Sequence, residues 1–457
     1  MATVTPRTRW SRPVTHPAKV VVLSFAAAIV LGTGLLALPV AARSGRATDP
    51  LTALFTATGA VTGGLSIVGT GSWFGPFGEW VVLALIQVGG LGIMTLASVL
   101  GLLVSGRLRM PLQLTAQEET GSSAAGHLRS VLLGVAATTF VIELLTGAVL
   151  FLRFRLGYGQ QAGEALFYGC FHAVSAFNNA GFGLRDDNLV GYANDPWILV
   201  PVAVACILGG LGFPVLLELL RRARAHHRGV LARRWSLHTR LTLITYGILL
   251  AAGTVYICLL EWGNPATFGP MSWGDKLLNG FFLSTSARTA GFNSVDIGAM
   301  EPATLLGISV LMFIGAGSAG TAGGIKVTTF ALLGAAIVAE VRGDSQVNVL
   351  GRRVPASAVR QALTVALLGL GLILAGMLVL LTVTEASVEA VLVETVSAFG
   401  TVGFTTGITG SLPAVCQLVV IALMFVGRLG PITLASALAL RERGRRYELP
   451  EERPVIG

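Results

Sequence analysis

The sequence predicts an all-α membrane protein in which one unit is repeated four times around a central pore. Composition supports the first part, because 53% of the 457 residues are hydrophobic and only 12% are charged. Soluble globular chains carry about 25% charged residues. Several apolar runs reach the roughly 20 residues that a helix needs to cross the hydrocarbon. The net charge of +9 fits arginines in short loops and indicates no nucleic-acid partner.

A fourfold repeat is the second observation. Four segments each contain an apolar or aromatic stretch, small polar residues, and a glycine beside an apolar residue. Aligned on Gly64, Gly181, Gly291 and Gly403, the glycines are 117, 110 and 112 residues apart, which is too long for a solenoid. The segments are Phe55-TATGAVTGGL-Ser66, Cys170-FHAVSAFNNAGF-Gly183, Phe282-LSTSARTAGF-Asn293 and Glu394-TVSAFGTVGF-Thr405.

Apolar runs flank each segment and indicate a unit of two helices with a re-entrant segment between them. Non-helical backbone at membrane depth is allowed only where it is buried in protein or lines a water-filled cavity. We therefore predict eight transmembrane helices and four re-entrant pore helices around one central pore per chain, with glycine-rich extracellular loops as the alternative. The runs are 20–42, 130–152, 241–260 and 359–383 before the segments, and 80–104, 197–220, 303–340 and 414–440 after them.

Charge distribution predicts the topology. Of the 32 Lys and Arg residues, 23 lie in the N-terminus, the tail and the loops near 105–129, 221–240 and 342–360. These parts are therefore expected in the cytoplasm, and the glycine segments are expected to enter a plasma membrane from outside. The predicted units are a cytoplasmic N-terminus 1–19, pore repeats 20–128, 129–236, 237–350 (with a broken second helix) and 351–440, and a cytoplasmic tail 441–457.

The predicted outer side carries many acidic residues. They could form a vestibule that concentrates cations, or they could simply solvate ordinary loops. The residues are Asp49, Glu79, Glu164, Asp186, Asp187, Asp195, Glu261, Asp275, Asp296, Glu301, Glu385, Glu389 and Glu394.

The segments have the chemistry of a cation filter. A dehydrated cation needs oxygen dipoles, which rings of backbone carbonyls supply in K+ channels, and glycine reaches the required positive φ without steric cost. The run Thr401-Val402-Gly403-Phe404 nearly reproduces the TVGY filter sequence. The candidate ion-binding residues are Thr62, Gly63, Gly64, Asn179, Ala180, Gly181, Thr289, Ala290, Gly291, Thr401, Val402 and Gly403.

These motifs resemble the Ktr/Trk/HKT superfamily of K+ transporters, most closely the Ktr-type membrane subunit. The resemblance covers essentially the whole chain. In the first segment Gly63 stands where Ktr-type members usually have threonine. The motifs that carry the resemblance are Ala176-FNNAGF-Gly183, Ala287-RTAGFN-Ser294, Ser397-AFGTVGF-Thr405, Ile314-GAGSAGTAGGIKVTT-Phe330 and Met424-FVGRLGPIT-Leu434.

A glycine-rich break in the apolar run 303–340 is a candidate gate. Five glycines in the ten residues 315–324 disfavour a helix, since each costs about 1 kcal/mol relative to alanine. The resemblance implies an intramembrane gate loop below the filter, whereas a loose helix contact built on small residues is the alternative. The candidate gate residues are Gly315, Gly317, Ser318, Gly320, Thr321, Gly323, Gly324, Lys326 and Arg428.

Two basic residues lie at membrane depth. Arg428 is expected to form an electrostatic barrier below the filter, and the resemblance implies that it works with the gate loop. The alternative for Arg428 is a buried ion pair with Glu143 or Glu218. Lys326 is expected either to reach the cytoplasmic edge or to belong to the gate.

Gated K+ uptake is the predicted function, with a Na+-coupled or less selective Na+/K+ pathway as the alternative. A solute transporter with broken helices is disfavoured by four repeats in equal phase. An enzyme is disfavoured because no nucleophile–base set or HExxH motif occurs. The four cysteines have no CxxC spacing, and no organic cofactor is expected. The resemblance implies a homodimer, contact with membrane lipids, and control by a cytosolic ring of Rossmann-type nucleotide-binding (RCK) subunits.

Overall fold

The computed structural model describes residues 17–104, 124–229 and 234–430, and these ranges are mostly helical. The tail 441–457, most of the N-terminus 1–19 and the last part of the run 414–440 lie outside the described residues. Proline often fixes where a helix begins, because its missing N–H is no loss in the first turn. Five helices begin in this way, at Pro17, Pro50, Pro76, Pro196 and Pro302.

Fifteen helices are present in the described ranges. The first seven are α1 (Pro17–Leu36), α2 (Pro50–Thr62), α3 (Thr70–Trp73), α4 (Pro76–Val104), α5 (Ala124–Gly157), α6 (Ala162–Phe177) and α7 (Pro196–Leu211). The others are α8 (Phe213–His227), α9 (Leu237–Glu261), α10 (Trp273–Ser286), α11 (Pro302–Phe313), α12 (Val327–Val341), α13 (Ala356–Val383), α14 (Val388–Gly400) and α15 (Ala414–Leu429). Between α12 and α13, β1 (Asn348–Val349) and β2 (Arg352–Arg353) form an antiparallel hairpin.

Four short helices, α2, α6, α10 and α14, lead into the glycine-rich stretches, and we call them the segment helices. Side-chain caps define where three of them begin. Asp49 accepts hydrogen bonds from two backbone amides of the first turn of α2, and Ser272 and Ser387 each accept one in α10 and α14. Each segment helix is followed within three residues by one residue in the left-handed region, where the helix cannot continue.

Four helices in the described ranges are long and apolar enough to cross a membrane alone, within α4, α5, α9 and α13. Helices α7 and α8 would make a fifth as a pair, but they are bent by 106° at Gly212. The expectation of one continuous run over 197–220 is therefore wrong, because Gly212 adopts φ 91° and ψ 147°, outside the helical region. Residues 314–326 likewise separate α11 from α12.

Close backbone packing joins α4, α7 and α15, each of which follows a segment helix in the chain, to the segment helices. Methyl groups added at Gly89, Gly209 and Gly427 would lie within 2 Å of backbone oxygens, at 1.9, 1.9 and 1.8 Å. These glycines therefore let α4, α7 and α15 contact the C-terminal ends of α2, α6 and α14 directly. The contacted oxygens belong to Val61, Phe177 and Phe399 respectively.

Replacing Gly209 by alanine is expected to destabilise the fold. The added methyl group would overlap the Phe177 carbonyl, and forced overpacking costs about 1–3 kcal/mol. The measurement is thermal unfolding of the detergent-purified protein. Gly247→Ala on α9 is the control, because no atom outside its own helix lies within 4 Å of that added methyl group. Equal melting temperatures for the two variants would contradict this packing.

Candidate ion pathway

The four glycine stretches close into a ring. Each stretch has a glycine whose missing side chain leaves room for the backbone of the next stretch in the chain, and the fourth meets the first. A carbonyl oxygen of the neighbouring stretch therefore lies at each of the four junctions of the ring. Methyl groups added at Gly63, Gly181, Gly291 and Gly403 would lie 2.6, 2.7, 2.0 and 3.2 Å from the carbonyl oxygens of Asn179, Ala290, Val402 and Gly64.

The first stretch is shifted by one residue against the alignment on Gly64. The left-handed residue that follows the segment helix is Gly63 in the first repeat, with φ 72°. Its counterparts in the other repeats are Asn179, Thr289 and Thr401, with φ of 51°, 75° and 49°.

Helix packing supports the same register. The oxygens contacted by Gly89, Gly209 and Gly427 belong to residues two positions before Gly63, Asn179 and Thr401. Leu65, and not Gly64, is therefore the counterpart of Gly181, Gly291 and Gly403. Two adjacent glycines in the sequence, Gly63 and Gly64, gave no pattern from which the correct register could be chosen.

Two threonines in the ring have a strained backbone. Thr289 and Thr401 are β-branched residues at positive φ, a conformation that costs of order 1–3 kcal/mol and is found mainly at functional sites. Their hydroxyls are buried and have no hydrogen-bond partner among the described residues. The ring therefore holds two polar groups that the rest of the described protein leaves unpaired.

Backbone amides anchor the ring to the segment helices. The amides of Ala180 and Val402 donate to the carbonyls of Ser175 and Ser397 at 2.8 and 2.9 Å, and the Ser397 hydroxyl accepts from the Gly403 amide at 3.1 Å. Because these N–H groups point back to the helices, the carbonyl oxygens remain available on the other side of the backbone.

The structure bears on four of the thirteen acidic residues for which a vestibule or loop solvation is predicted. Glu79, Asp195, Glu261 and Glu394 are all buried and have local partners. Glu394, for example, is fully buried and accepts hydrogen bonds from the hydroxyls of Thr405 and Thr409 behind the fourth stretch. Including these four residues in the vestibule is wrong, because caps and buried hydrogen bonds use acidic residues that look like loop residues in the sequence.

A buried polar cluster lies behind the second stretch. The Glu143 carboxylate accepts hydrogen bonds from the side-chain amides of Gln87 and Asn178 at 3.2 and 3.0 Å. Asn178 directly precedes Asn179, so the cluster ties α4 and α5 to one side of the ring.

The loop 314–326 lies beneath the ring, and Thr321 is its best-connected residue. The Thr321 hydroxyl donates to the Phe177 carbonyl at 3.0 Å and accepts from the side-chain amide of Asn179 at 2.7 Å. Its backbone amide donates to Gly209 at 3.1 Å. One loop residue therefore contacts both the ring and the long helix α7.

The other predicted gate residues line the same contact. A methyl group added at Gly323 would lie 2.1 Å from the Thr401 hydroxyl, and one added at Gly320 would lie 2.7 Å from the Gly210 carbonyl. The Gly317 amide donates to Gly210 at 2.8 Å. Three residues lie further from the ring: Gly315 against the backbone of Gly323, Gly324 with φ 62°, and Ser318 paired with Thr328.

Arg428, near the end of α15, contacts the same loop. It is buried, and its guanidinium donates to the Thr321 carbonyl. Among the described residues no carboxylate pairs with it, because Glu143 is held by Gln87, and Glu218 by Ser236 and Thr239. The alternative of a buried ion pair with either glutamate is therefore wrong.

Lys326 folds back onto the loop instead of reaching the cytoplasmic edge. Its ammonium group donates to the carbonyls of Ala322 and Gly323 at 2.6 and 3.4 Å. Of the two alternatives for Lys326, these hydrogen bonds support the one that assigns it to the loop. A second buried arginine, Arg288 beside Thr289, donates to the Tyr246 carbonyl at 2.8 Å, and its guanidinium stacks on the Tyr246 ring at 3.6 Å.

The sequence also contains a second repeat that was not recognised. The runs Gly89-Gly90-Leu91-Gly92, Gly209-Gly210-Leu211-Gly212 and Gly427-Arg428-Leu429-Gly430 occupy equivalent positions against the segment helices. Arg428 thus stands where two other repeats have glycine. An alignment of the helices that follow the segments, α4, α7 and α15, shows both this packing motif and the exceptional position of the arginine.

Comparison with known proteins decides the family. The family model described as TrkH, cation transport protein, matches residues 3–445. The chain belongs to this family. It is 36% identical to the Ktr system potassium uptake protein B of Bacillus subtilis, over 94% of this chain and 95% of the relative. The corresponding protein of Vibrio alginolyticus is 38% identical, over 96% and 94%.

Two further relatives extend the comparison. The potassium/sodium uptake protein NtpJ of Enterococcus hirae is 32% identical, over 96% of this chain and 97% of that protein. The crystal structure of the potassium transporter TrkH from Vibrio parahaemolyticus has the same fold, with a TM-score of 0.75 at 17% identity over 95% of this chain and 87% of that chain. Together with the apolar helices, family membership makes this chain an integral membrane protein.

Replacing Gly291 by alanine is expected to open the ring and abolish cation uptake. The added methyl group would lie 2.0 Å from the Val402 oxygen, so two of the four stretches must separate. The measurement is cation uptake normalised to the amount of protein in the membrane. Gly407→Ala is the control, because its φ is also positive, 97° against 74° at Gly291, but open space surrounds the added methyl group. Normal uptake by Gly291→Ala would argue against the ring as the ion pathway.

Proposed function

We propose that this protein takes up K+ across the cell membrane through the carbonyl-lined ring, which acts as its selectivity filter. The single observation that carries this proposal is the closure of four stretches, one of them TVGF, into one ring of backbone oxygens. Such rings replace the hydration shell of K+. The names of the Ktr relatives as potassium uptake proteins support the same ion.

Low selectivity or coupling to Na+ is the second candidate. It is favoured by the first stretch, where glycines occupy two positions that hold larger residues in the other three. Gly63 stands opposite Asn179, Thr289 and Thr401, and Gly64 stands opposite Ala180, Ala290 and Val402. One relative is named a potassium/sodium uptake protein. Both features concern the choice of ion, not the presence of a cation pathway.

The proposal includes the predicted membrane architecture and partners. Eight crossings are reached when the shorter apolar helices α1 and α15, the bent pair α7–α8 and the broken pair α11–α12 are counted together with α4, α5, α9 and α13. The four segment helices are then the re-entrant helices of the four repeats, and cytoplasmic termini fit the positive-inside rule. A homodimer on a cytosolic ring of nucleotide-binding RCK subunits follows from the resemblance to Ktr-type membrane subunits. The relatives named as parts of a Ktr system support a partner of this kind.

Complementation tests the function. The chain, co-expressed with its cytosolic partner, should restore growth at low K+ to cells that lack their own K+ uptake. Competition of Na+ against Rb+ uptake in the same cells separates a selective filter from the second candidate. Failure to restore growth with the protein present in the membrane would reject the K+ assignment.

Gly403→Asp is expected to abolish uptake. The aspartate would place a carboxylate, and a side chain at φ 104°, among the carbonyl oxygens that are proposed to bind the ion. Rb+ uptake at equal membrane abundance is the measurement. Gly407→Asp is the matched control four residues away, where a side chain meets open space. Similar uptake by the two variants would place the pathway elsewhere.

We also infer that the loop 314–326 gates this pathway and that Arg428 helps to hold it closed. Thr321 joins the loop to Asn179 in the ring and to the Arg428 guanidinium. A fixed positive charge below the filter would also oppose passage of a cation. Opening would require these contacts to break together.

Arg428→Ala is therefore expected to increase K+ leak by several-fold. The substitution removes both the charge and the hydrogen bond to Thr321. The measurement is Rb+ flux into proteoliposomes containing the purified chain. Arg342→Ala, an exposed arginine just after α12, is the control. An unchanged leak in Arg428→Ala would remove Arg428 from the gate.

A further inference from the structure

Helix α8 runs nearly at right angles to α7. The two helices are bent by 106° at Gly212, and α7 is part of the apolar span that crosses the membrane. An amphipathic helix at such an angle to a membrane-crossing helix is placed along the bilayer surface. The many arginines of this region put that surface on the cytoplasmic side.

One stripe along α8 and its C-terminal cap is exposed and has mixed chemistry. Leu220 is 41% exposed, and Arg221, Arg224 and the capping residue Arg228 are exposed beside and beyond it. Leu220 and Arg221 are neighbours that each lie three or four residues from Arg224, and Arg228 follows four residues later, so these side chains share one face. Exposed leucine near the bend and arginines farther on suit the boundary between acyl chains and headgroups.

The opposite side of α8 is already occupied. Arg222 stacks on Trp235 at 4.6 Å, and the Glu218 carboxylate accepts hydrogen bonds from the hydroxyls of Ser236 and Thr239 at 2.7 and 2.5 Å. These contacts fix how α8 is rotated about its axis. The stripe is therefore held outward by the fold.

The first residues of α8 contact the loop 314–326 directly. The Phe213 amide donates to the Ala319 carbonyl at 3.2 Å, and a methyl group added at Gly212 would lie 2.3 Å from the Ser318 carbonyl. A change in the angle between α7 and α8 must therefore move the loop or break these contacts.

We propose that the stripe of Leu220, Arg221, Arg224 and Arg228 binds anionic lipid headgroups and thereby stabilises the closed position of the loop. This inference rests on the proposed gating function of the loop. Three arginines at an anionic surface each contribute favourably, and the bound lipid holds α8 at the angle that seats the loop. Neutral lipid lacks this attraction, so the loop leaves its closed position more readily.

The observations favour lipid over an acidic protein partner. An acidic protein would match the arginines but would leave Leu220 facing water, whereas a bilayer surface accommodates both. The bend places α8 along the bilayer without further movement.

Flux into vesicles of defined composition tests the proposal. The purified full-length chain is reconstituted in phosphatidylcholine alone or with phosphatidylglycerol at constant total lipid. We expect Rb+ leak to fall about five-fold or more with phosphatidylglycerol. The attraction of a single arginine to an anionic surface already corresponds to a change of about this size. The triple variant Arg221→Gln, Arg224→Gln, Arg228→Gln should lose this dependence and leak at the higher rate in both lipids.

A matched triple variant controls for net charge. Arg342→Gln, Arg352→Gln, Arg353→Gln removes three exposed arginines from the segment between α12 and α13, and it should keep the response to phosphatidylglycerol. A thermal shift of the detergent-purified protein on adding phosphatidylglycerol reports binding independently of flux. It should be present in the wild type and the control and absent from the α8 variant.

The outcomes separate this proposal from the proposed function. No Rb+ flux in any lipid would refute the cation pathway. Flux that is insensitive to phosphatidylglycerol, or equally sensitive in both triple variants, would overturn the lipid site while leaving the pathway intact. Sensitivity that appears only when the cytosolic partner is added would assign the stripe to a protein contact instead.

Discussion

The rest of the structure depends on one constraint, that four backbones approach closely enough to close a ring. Close approach of the backbones leaves little or no room for a side chain at Gly63, Gly181, Gly291 and Gly403. The first stretch makes this contact two residues earlier than the other three, at Gly63, where they have Asn179, Thr289 and Thr401. The same requirement applies one layer out, where Gly209 and Gly427 let long helices touch the ends of α6 and α14. Backbone contacts thus position the ring in two ways: between neighbouring stretches, and between the segment helices and the helices packed behind them.

Uncompensated charge is the second theme of the interior. Arg288, Arg428, Glu143 and Glu394 are buried, and among the described residues each relies on neutral hydrogen-bond partners instead of an opposite charge. Burying a charge in this way is costly. The two acidic residues lie behind the second and fourth stretches, and Arg428 contacts the loop 314–326 next to the ring.

The sequence predicted features that rest on a repeated pattern. It did not predict features that depend on a single tertiary contact. Composition and the glycine spacing predicted a helical membrane protein, and the motifs predicted the family, which comparison confirms. Register in the first stretch was not predictable, because Gly63 and Gly64 are chemically identical. The break at Gly212 was missed because one glycine in an apolar run is usually tolerated. Partners of Glu394 and Lys326 depend on tertiary contacts that no local pattern encodes.

The ring is built from one chain, and this has a consequence for how it can vary. In an assembly of four identical subunits any substitution appears in all four quadrants at once. Here each quadrant has its own codon, so a change such as glycine at position 63 alters one side only and leaves Asn179, Thr289 and Thr401 untouched. Ion preference can therefore drift in small steps during evolution, and a lineage can test one asymmetric wall without giving up the other three.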